Sequence, residues 1–293
     1  MKQAVEWQDT FLDSRERKVL TETEHGVPGL RGFGYHNAAH ALAPLQPHYH
    51  RDCFELTFLA RGNVRFSVGG ENYDLSGGEL FLTMPNEVHG TGMVPMSLHQ
   101  MFWFQLDDRD PDRFLYLQRE SALYLREQLR QMPRRVIRLK GRGTDAMLLT
   151  VFQSLSAGTE LGRRKGAQLL GYLLFDLLEC AVSPEQTVTE DIERTTTYIL
   201  ANLGRELTME ELAKVALLSV SRFKQKFKDQ TGTSPRSYIN YHKIEAAKEL
   251  LAKGVNVSET AYRLGFSSSN YFCEVFRRYT SYAPTVYLQN CGR

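Results

Sequence analysis

LTMEELAKVALLSVSRFKQKFKDQTGTSPRSYI (residues 207–239) and VNVSETAYRLGFSSSNYFCEVFRRYTSYAPTVYL (residues 255–288) are degenerate copies of one pattern. With an offset of 49, Phe223 matches Phe272, Phe227 matches Phe276, Pro235 matches Pro284 and Tyr238 matches Tyr287. Upstream of the turn the offset is 48, pairing Ala213 with Ala261, so the second turn is one residue longer.

Each copy reads as a helix-turn-helix. Thr208 or Ser258 is placed to N-cap a short helix, and Glu211, three residues after Thr208, to complete a capping box. Ala213 or Ala261 lets the two helices approach closely. A turn follows, and a polar cap at Ser219 or near Ser268 opens the second helix. There the paired phenylalanines at i, i+4 face the core. Ser221, Lys224, Gln225 and Lys228 are left free in the first copy, and Asn270, Tyr271, Glu274 and Arg277 in the second. A helix with an apolar back and short polar or basic residues on its exposed N-terminal half suits the major groove. Pro235 and Pro284 end each motif, and PRSYINYHKIEAAKELLAKG (residues 235–254) reads as a joining helix. A helical bundle with a solvated charged face explains one such stretch, but explains two in tandem poorly.

Charge points the same way. The 293 residues carry a formal net charge of only +2. From Glu190 onward there are 15 basic and 11 acidic residues, against 21 and 23 before it. Between Ser219 and Lys243 six basic residues, Arg222 among them, face Asp229 alone. Such a local cluster attracts phosphate without making the whole chain adhesive.

Other classes are excluded. Cys53, Cys180, Cys273 and Cys291 form no CxxC pair, which argues against a zinc ribbon or a disulfide framework and fits a reducing cytosol. MKQAVEWQDT at the start is polar, unlike a signal peptide. LLGYLLFDLLECAV (residues 169–182) is broken by Asp176 and Glu179 and is too short to span a bilayer. A soluble cytoplasmic protein with no membrane partner is expected. There is no nucleophile elbow, P-loop or GxGxxG.

From about Gly29 to Leu106 the text turns to short alternating runs, FELTFLARG, VRFSVGG, ENYDLSGGELFLTM and LHQMFWFQL. The two glycines of VRFSVGG signal a hairpin. Many short strands imply a sandwich or small barrel. From about Asp112 to Ala181 the period is helical, with two apolar rows, Leu169–Leu173–Leu177 and Leu170–Leu174–Leu178. That face either packs within its own domain or partly pairs with a second subunit. The expected organisation is an N-terminal domain over 1–181, with an arm to about Val27, a linker over 182–190 and a C-terminal domain over 191–293.

In PHYHRDCFELTFLARG (residues 47–62), His48 and His50 point to one face of a strand, followed by Glu55 and Gly62. GELFLTMPNEVHG adds His89. Three imidazoles and a carboxylate are a sensible donor set for a divalent transition metal with open positions.

Residues 191–288, above all AYRLGFSSSNYFCEVFRRYTSYAPTVYL, resemble the AraC/XylS family of transcription regulators. The resemblance implies two recognition helices in successive major-groove segments. Ser221, Lys224 and Gln225 in the first unit, and Asn270, Cys273 and Glu274 in the second, would read bases, with Arg222 and Tyr271 beside them. Lys226, Lys228, Arg277 and Arg278 suit phosphates. Two departures stand out: Glu274 replaces a donor, and Ser281 stands where the second unit often has glycine. The N-terminal stretch resembles a cupin. The first motif (HxH, four residues, E, six residues, G) is matched throughout. The second is one residue short between Pro85 and His89, with Glu87 for a glycine.

Together these imply an α+β two-domain chain, a cupin-like barrel or jelly roll followed by helices and an all-α tandem helix-turn-helix domain. They imply a non-enzymatic regulator, a homodimer that, as the family resemblance implies, acts on RNA polymerase, with a small-molecule effector, often a sugar, and no metal cofactor. Three readings of the histidines stay open: an organic-effector pocket walled by Trp103, a metal site at His48, His50, Glu55 and His89, or structural histidines at the barrel rim. Tyr35, His36 and His40 are weaker candidates. The alternative function is a metal-dependent cupin enzyme or metal sensor with a helical appendage.

Overall fold

The computed structural model describes residues 4–92, 94–139, 143–183 and 188–291. By contacts the chain divides into two compact units. The first comprises residues 1–38, 44–94 and 99–186, and the second residues 39–43, 95–98 and 187–293.

The first unit opens with β1 (Val5–Glu6), β2 (Leu12–Asp13), β3 (Arg17–Thr21), a single turn α1 (Glu22–His25) and β4 (Leu30–Ala38). Next come β5 (His48–Tyr49), β6 (Cys53–Val68), β7 (Glu71–Ser76), β8 (Glu79–Thr83), β9 (His89–Gly90) and β10 (His99–Asp107). The long β6 organises them. Its first half pairs antiparallel with β10 and β8, and its second half with β7 and β9. The β6–β10 register shifts between Gln100 and Met101, leaving Ala60 as an extra residue on β6. A bulge of this kind bends a strand and increases its twist, which lets one strand serve two sheet faces. The result is a curled, cupin-like half-barrel. β6 and β7 form the hairpin signalled by Gly69 and Gly70, whose φ values of 59° and 91° suit glycine.

Two features depart from the expectation. Most of the N-terminal arm is not an arm, because β3 joins the sheet beside β4 and buries Val19 and Leu20. The helical stretch also contains a strand. After α2 (Arg119–Arg130), β11 (Val136–Arg138) pairs with β8, before α3 (Thr144–Ser156) and α4 (Glu160–Val182). Arg135 and Arg138 secure it through ion pairs to Glu87 and Glu79, at 2.6 and 2.7 Å. Three residues are too few to display a period of two. On α4, Leu170, Leu173, Leu174 and Leu177 are buried in the core, Leu169 and Leu178 flank it, and Tyr172 and Phe175 remain exposed.

The second unit is α5 (Glu190–Ala201), α6 (Met209–Val215), α7 (Val220–Thr231), α8 (Pro235–Ala252), α9 (Val257–Arg263), α10 (Ser269–Thr280) and α11 (Pro284–Cys291). Both helix-turn-helix units form, α6–α7 and α9–α10. Thr208, Ser219 and Ser268 cap α6, α7 and α10. Asn256, rather than Ser258, caps α9, its Oδ1 accepting from the Glu259 amide at 2.9 Å. The capping box at α6 does not close, because the Glu211 carboxylate accepts instead from Arg205 and Tyr198. Pro235 and Pro284 open α8 and α11, where a missing amide hydrogen costs nothing. Within the expected linker, Val182 ends α4, Ser183 caps it and Glu190 starts α5, while residues 184–187 lie outside the described residues. No helix among the described residues is long and apolar enough to cross a membrane.

His25 gives the first unit a measurable acid sensitivity. It is fully buried, its Nδ1 accepts from the Val27 amide at 3.0 Å, and its Nε2 has no hydrogen-bond partner among the described residues. Burial, opposed by the attraction of Glu24 and helped more weakly by the repulsion of Arg163, brings its pKa down to about 4. The unfolded chain therefore binds a proton on this residue that the folded chain resists. Stability is lost as pH falls from about 6.5 towards 4. His25→Asn, which keeps an acceptor for Val27, is expected to flatten the fall in melting temperature across that window. An unchanged slope in thermal melts would contradict this account.

Candidate sensor site and nucleic-acid interface

Curling of the sheet brings His89 to His48, His50 and Glu55, which lie close together in sequence. β5 and β9 pair with His48 opposite His89, while Glu55 on β6 lies opposite Gln105 on β10. One donor atom each from His48, His50, Glu55 and His89 lies within 4.8 Å of the others, and all four residues are buried. The Glu55 carboxylate is the hub. His50 Nε2 stands 2.9 Å from one oxygen and His89 Nε2 3.2 Å from the other. Burial would raise the Glu55 carboxyl, but the two imidazoles outweigh it and hold it well below the usual carboxylate range. Burial lowers His48 to about 4, with help from His89.

The opposite ring nitrogens determine the tautomers. Nδ1 of His48, His50 and His89 faces the backbone carbonyl of Gln46, Trp7 and Glu87, at 2.9, 2.9 and 3.0 Å respectively. A carbonyl only accepts, so each Nδ1 carries the hydrogen. Three neutral rings would then present bare Nε2 lone pairs towards one another and towards a carboxylate. Such a centre requires a cation: a proton, as on an imidazolium, or a metal ion. The donor set therefore fits a divalent transition metal. His48, His50, His89 and Glu55 would hold it, their orientation preset by the three carbonyls.

The N-terminal strand region covers this cluster, which sequence reading missed. Val5 on β1 pairs with His48, and the Trp7 ring packs edge-on against it at 5.7 Å. Asp9 Oδ2 accepts from Trp103 Nε1 at 2.8 Å and from Gln105 Nε2 at 3.1 Å. Gln105 also donates to Glu55 at 3.1 Å. Trp103 thus stands beside the cluster and is linked to it through Asp9. His36 lies apart, beside another histidine missed in sequence, His99, with ring nitrogens 3.4 Å apart. Tyr35 packs on Phe102, and His40 is exposed.

In the second unit Phe223, Phe227, Phe272 and Phe276 are wholly buried. On α7, Ser221, Arg222, Lys224, Gln225 and Lys228 are exposed. Lys226 is instead held by Asp191 on α5, at 2.8 and 2.9 Å. On α10, Asn270, Glu274, Arg277 and Arg278 are exposed, while Tyr271 and Cys273 are half-buried against the second core. Arg278 pairs with Glu274 at 2.9 Å, which offsets the carboxylate's charge. The free face of α7 is therefore the more basic.

Paired recognition-type helices behind a strand-built unit with a buried donor cluster define a DNA-binding transcriptional regulator with an N-terminal ligand-binding domain. A family model described as AraC-like ligand binding domain matches residues 33–175, and one described as helix-turn-helix domain matches residues 212–290. The chain belongs to the AraC family of transcription regulators. It is similar to the HTH-type transcriptional activator RhaS of Citrobacter koseri, 26% identical over 243 residues, covering 81% of this chain and 86% of that one. It also resembles the probable transcriptional regulator LumQ of Photobacterium leiognathi, 31% identical over 137 residues, or 44% of this chain and 55% of that one. The structure of ToxT from Vibrio cholerae matches with 12% identity and a TM-score of 0.34, covering 94% of this chain and 98% of that one.

The packing of Trp103 is testable. A Cβ on Gly34, the residue opposite it on β4, would lie 2.0 Å from the indole. Gly34→Ala is expected to displace the ring, break its bond to Asp9 and destabilise the first unit by about 1–3 kcal/mol. Denaturant titration followed by tryptophan fluorescence measures both effects, and wild-type stability would refute the packing argument.

Proposed function

We propose that this chain is a cytoplasmic, non-enzymatic transcriptional activator whose DNA binding is set by a ligand held at His48, His50, Glu55 and His89. The observation that carries this reading is the convergence of His48, His50 and His89, each anchored at Nδ1 by a backbone carbonyl, with the buried Glu55 carboxylate, one donor atom of each lying within 4.8 Å of the others. The arrangement suits a divalent transition metal, which would supply a Lewis-acid coordination position in the cluster. A second reading has an organic effector such as a sugar bind directly. Asp9, Gln105 and Trp103 favour it, being the polar and aromatic groups with which hydroxyl-rich molecules are held. In either case the ligand acts by binding two arrangements of the chain with different affinity.

The domain roles follow. Residues 1–181 sense and dimerise, the apolar residues exposed on α4 (Leu161, Tyr172, Phe175 and Val182) supporting a homodimer contact. Residues 182–190 link, and residues 191–293 bind duplex DNA and engage RNA polymerase. Ser221, Lys224 and Gln225 read bases from α7, and Asn270 and Glu274 from α10. Arg222, Lys228, Arg277 and Arg278 contact phosphates, and Tyr271 and Cys273 support the second helix from its edge.

Elemental analysis after purification without chelator tests the sensor. About one divalent metal per chain is expected, lost in His48→Ala and His89→Ala, with added metal raising the melting temperature of the wild type alone. A folded, metal-free protein would overturn the metal reading and direct the search to a sugar panel. For DNA, Lys224→Ala and Gln225→Ala are expected to relax specificity at particular bases. Lys228→Ala should weaken all sequences and reduce the salt slope by about 1. Binding titrations at several salt concentrations separate the two, and unchanged base preference in the first pair would remove them from the reading face.

A further inference from the structure

The two helix-turn-helix units have separate cores that meet within α8. The first runs from Ile192 to Ile239, the second from Ile244 to Phe276, with no buried residue in common. Between them, on α8, lies Lys243, only 5% exposed. Its Nζ donates to the carbonyl of Arg205, in the loop after α5, at 3.0 Å, and faces that of Gly265, in the turn between α9 and α10, at 3.4 Å. It also stands 5.2 Å from the Phe266 ring centroid. The two backbone segments touch. Gly265 has φ +61°, and a Cβ there would come within 2.4 Å of Arg205 Cα.

A buried ammonium is expensive, and this one has no carboxylate in hydrogen-bonding reach among the described residues. Burial draws its pKa down to about 8, against a weaker attraction from Glu206. An apolar side chain of the same length would fill the space without that cost. What it would not do is bond two carbonyls belonging to different units.

We infer that Lys243 is a specificity-determining residue: by tying the loop after α5 to the turn before α10, it fixes the pitch between α7 and α10 and so sets which spacing of two DNA segments the protein accepts. Lys243 is a positioning residue and touches no base. The inference rests on both α7 and α10 engaging the duplex.

The test uses the full-length protein and duplexes selected from a random library, with each contacted segment scrambled in turn and the intervening spacing changed by one base pair. For the wild type, scrambling either segment and altering the spacing both weaken binding. If scrambling one segment has no effect, the two-helix reading fails, and the inference with it. Lys243→Met keeps the stem and removes the donor. It is expected to lose about tenfold on the two-segment duplex, keep wild-type affinity for single-segment duplexes, and tolerate the altered spacing. Equal losses on single- and two-segment duplexes would make Lys243 merely structural and overturn the inference, as would an intact spacing penalty. Lys243→Arg keeps the charge with a longer fork and guards against misfolding of the Met variant. It is expected to shift the preferred spacing at unchanged single-segment affinity, and an unshifted preference counts against the inference.

Discussion

Glu55 carries a negative charge into the middle of a sheet, and much of the first unit can be understood as the means of holding it there. An isolated buried carboxylate is prohibitively costly. Here two imidazoles and the Gln105 amide surround it. Each of these groups is itself fixed by a further partner, the imidazoles by carbonyls and Gln105 by Asp9. The chain segments supplying them are far apart in sequence. Only a curled sheet, with β6 bent to serve two faces, brings β5, β9 and β10 around one carboxylate. Charge compensation and sheet curvature are thus coupled.

The second unit solves a simpler problem. Each pair of phenylalanines one helical turn apart buries an apolar back, and side-chain caps fix where the helices begin. The remaining faces are free to carry charge. Lys226 shows that not every basic residue on such a helix is available, because helix periodicity turns it towards Asp191. Its neighbours Lys224 and Lys228 remain exposed.

What sequence revealed, and what it hid, follows from the range of the interactions. The repeat was legible because residues one turn apart make each core. His48 and His50 were legible because strand alternation puts them on one face, and Glu55 and His89 through their spacing to that pair. Asp9, Trp7 and Gln105 were not, since a bond between Asp9 and Gln105 leaves no periodicity in either segment. β11 escaped notice because its partner strand, rather than its own composition, makes it a strand. Asn256 and Ser258 are both good caps, and only the placement of α9 decides between them. The arm was overestimated because β3 has too few residues to announce itself against polar flanks.

The division of the second unit's core within α8 also bears on how the chain folds. The buried apolar core of the first helix-turn-helix closes within Ile192 to Ile239, and that of the second within Ile244 to Phe276. The first unit's core, by contrast, gathers residues from Leu20 to Ala181. Chains dominated by local contacts cross a smaller entropic barrier and fold faster than those that must close long loops. As the chain leaves the ribosome, the strand-built unit must wait for α4 before its core can close. Each DNA-reading module can assemble as soon as its own last helix emerges.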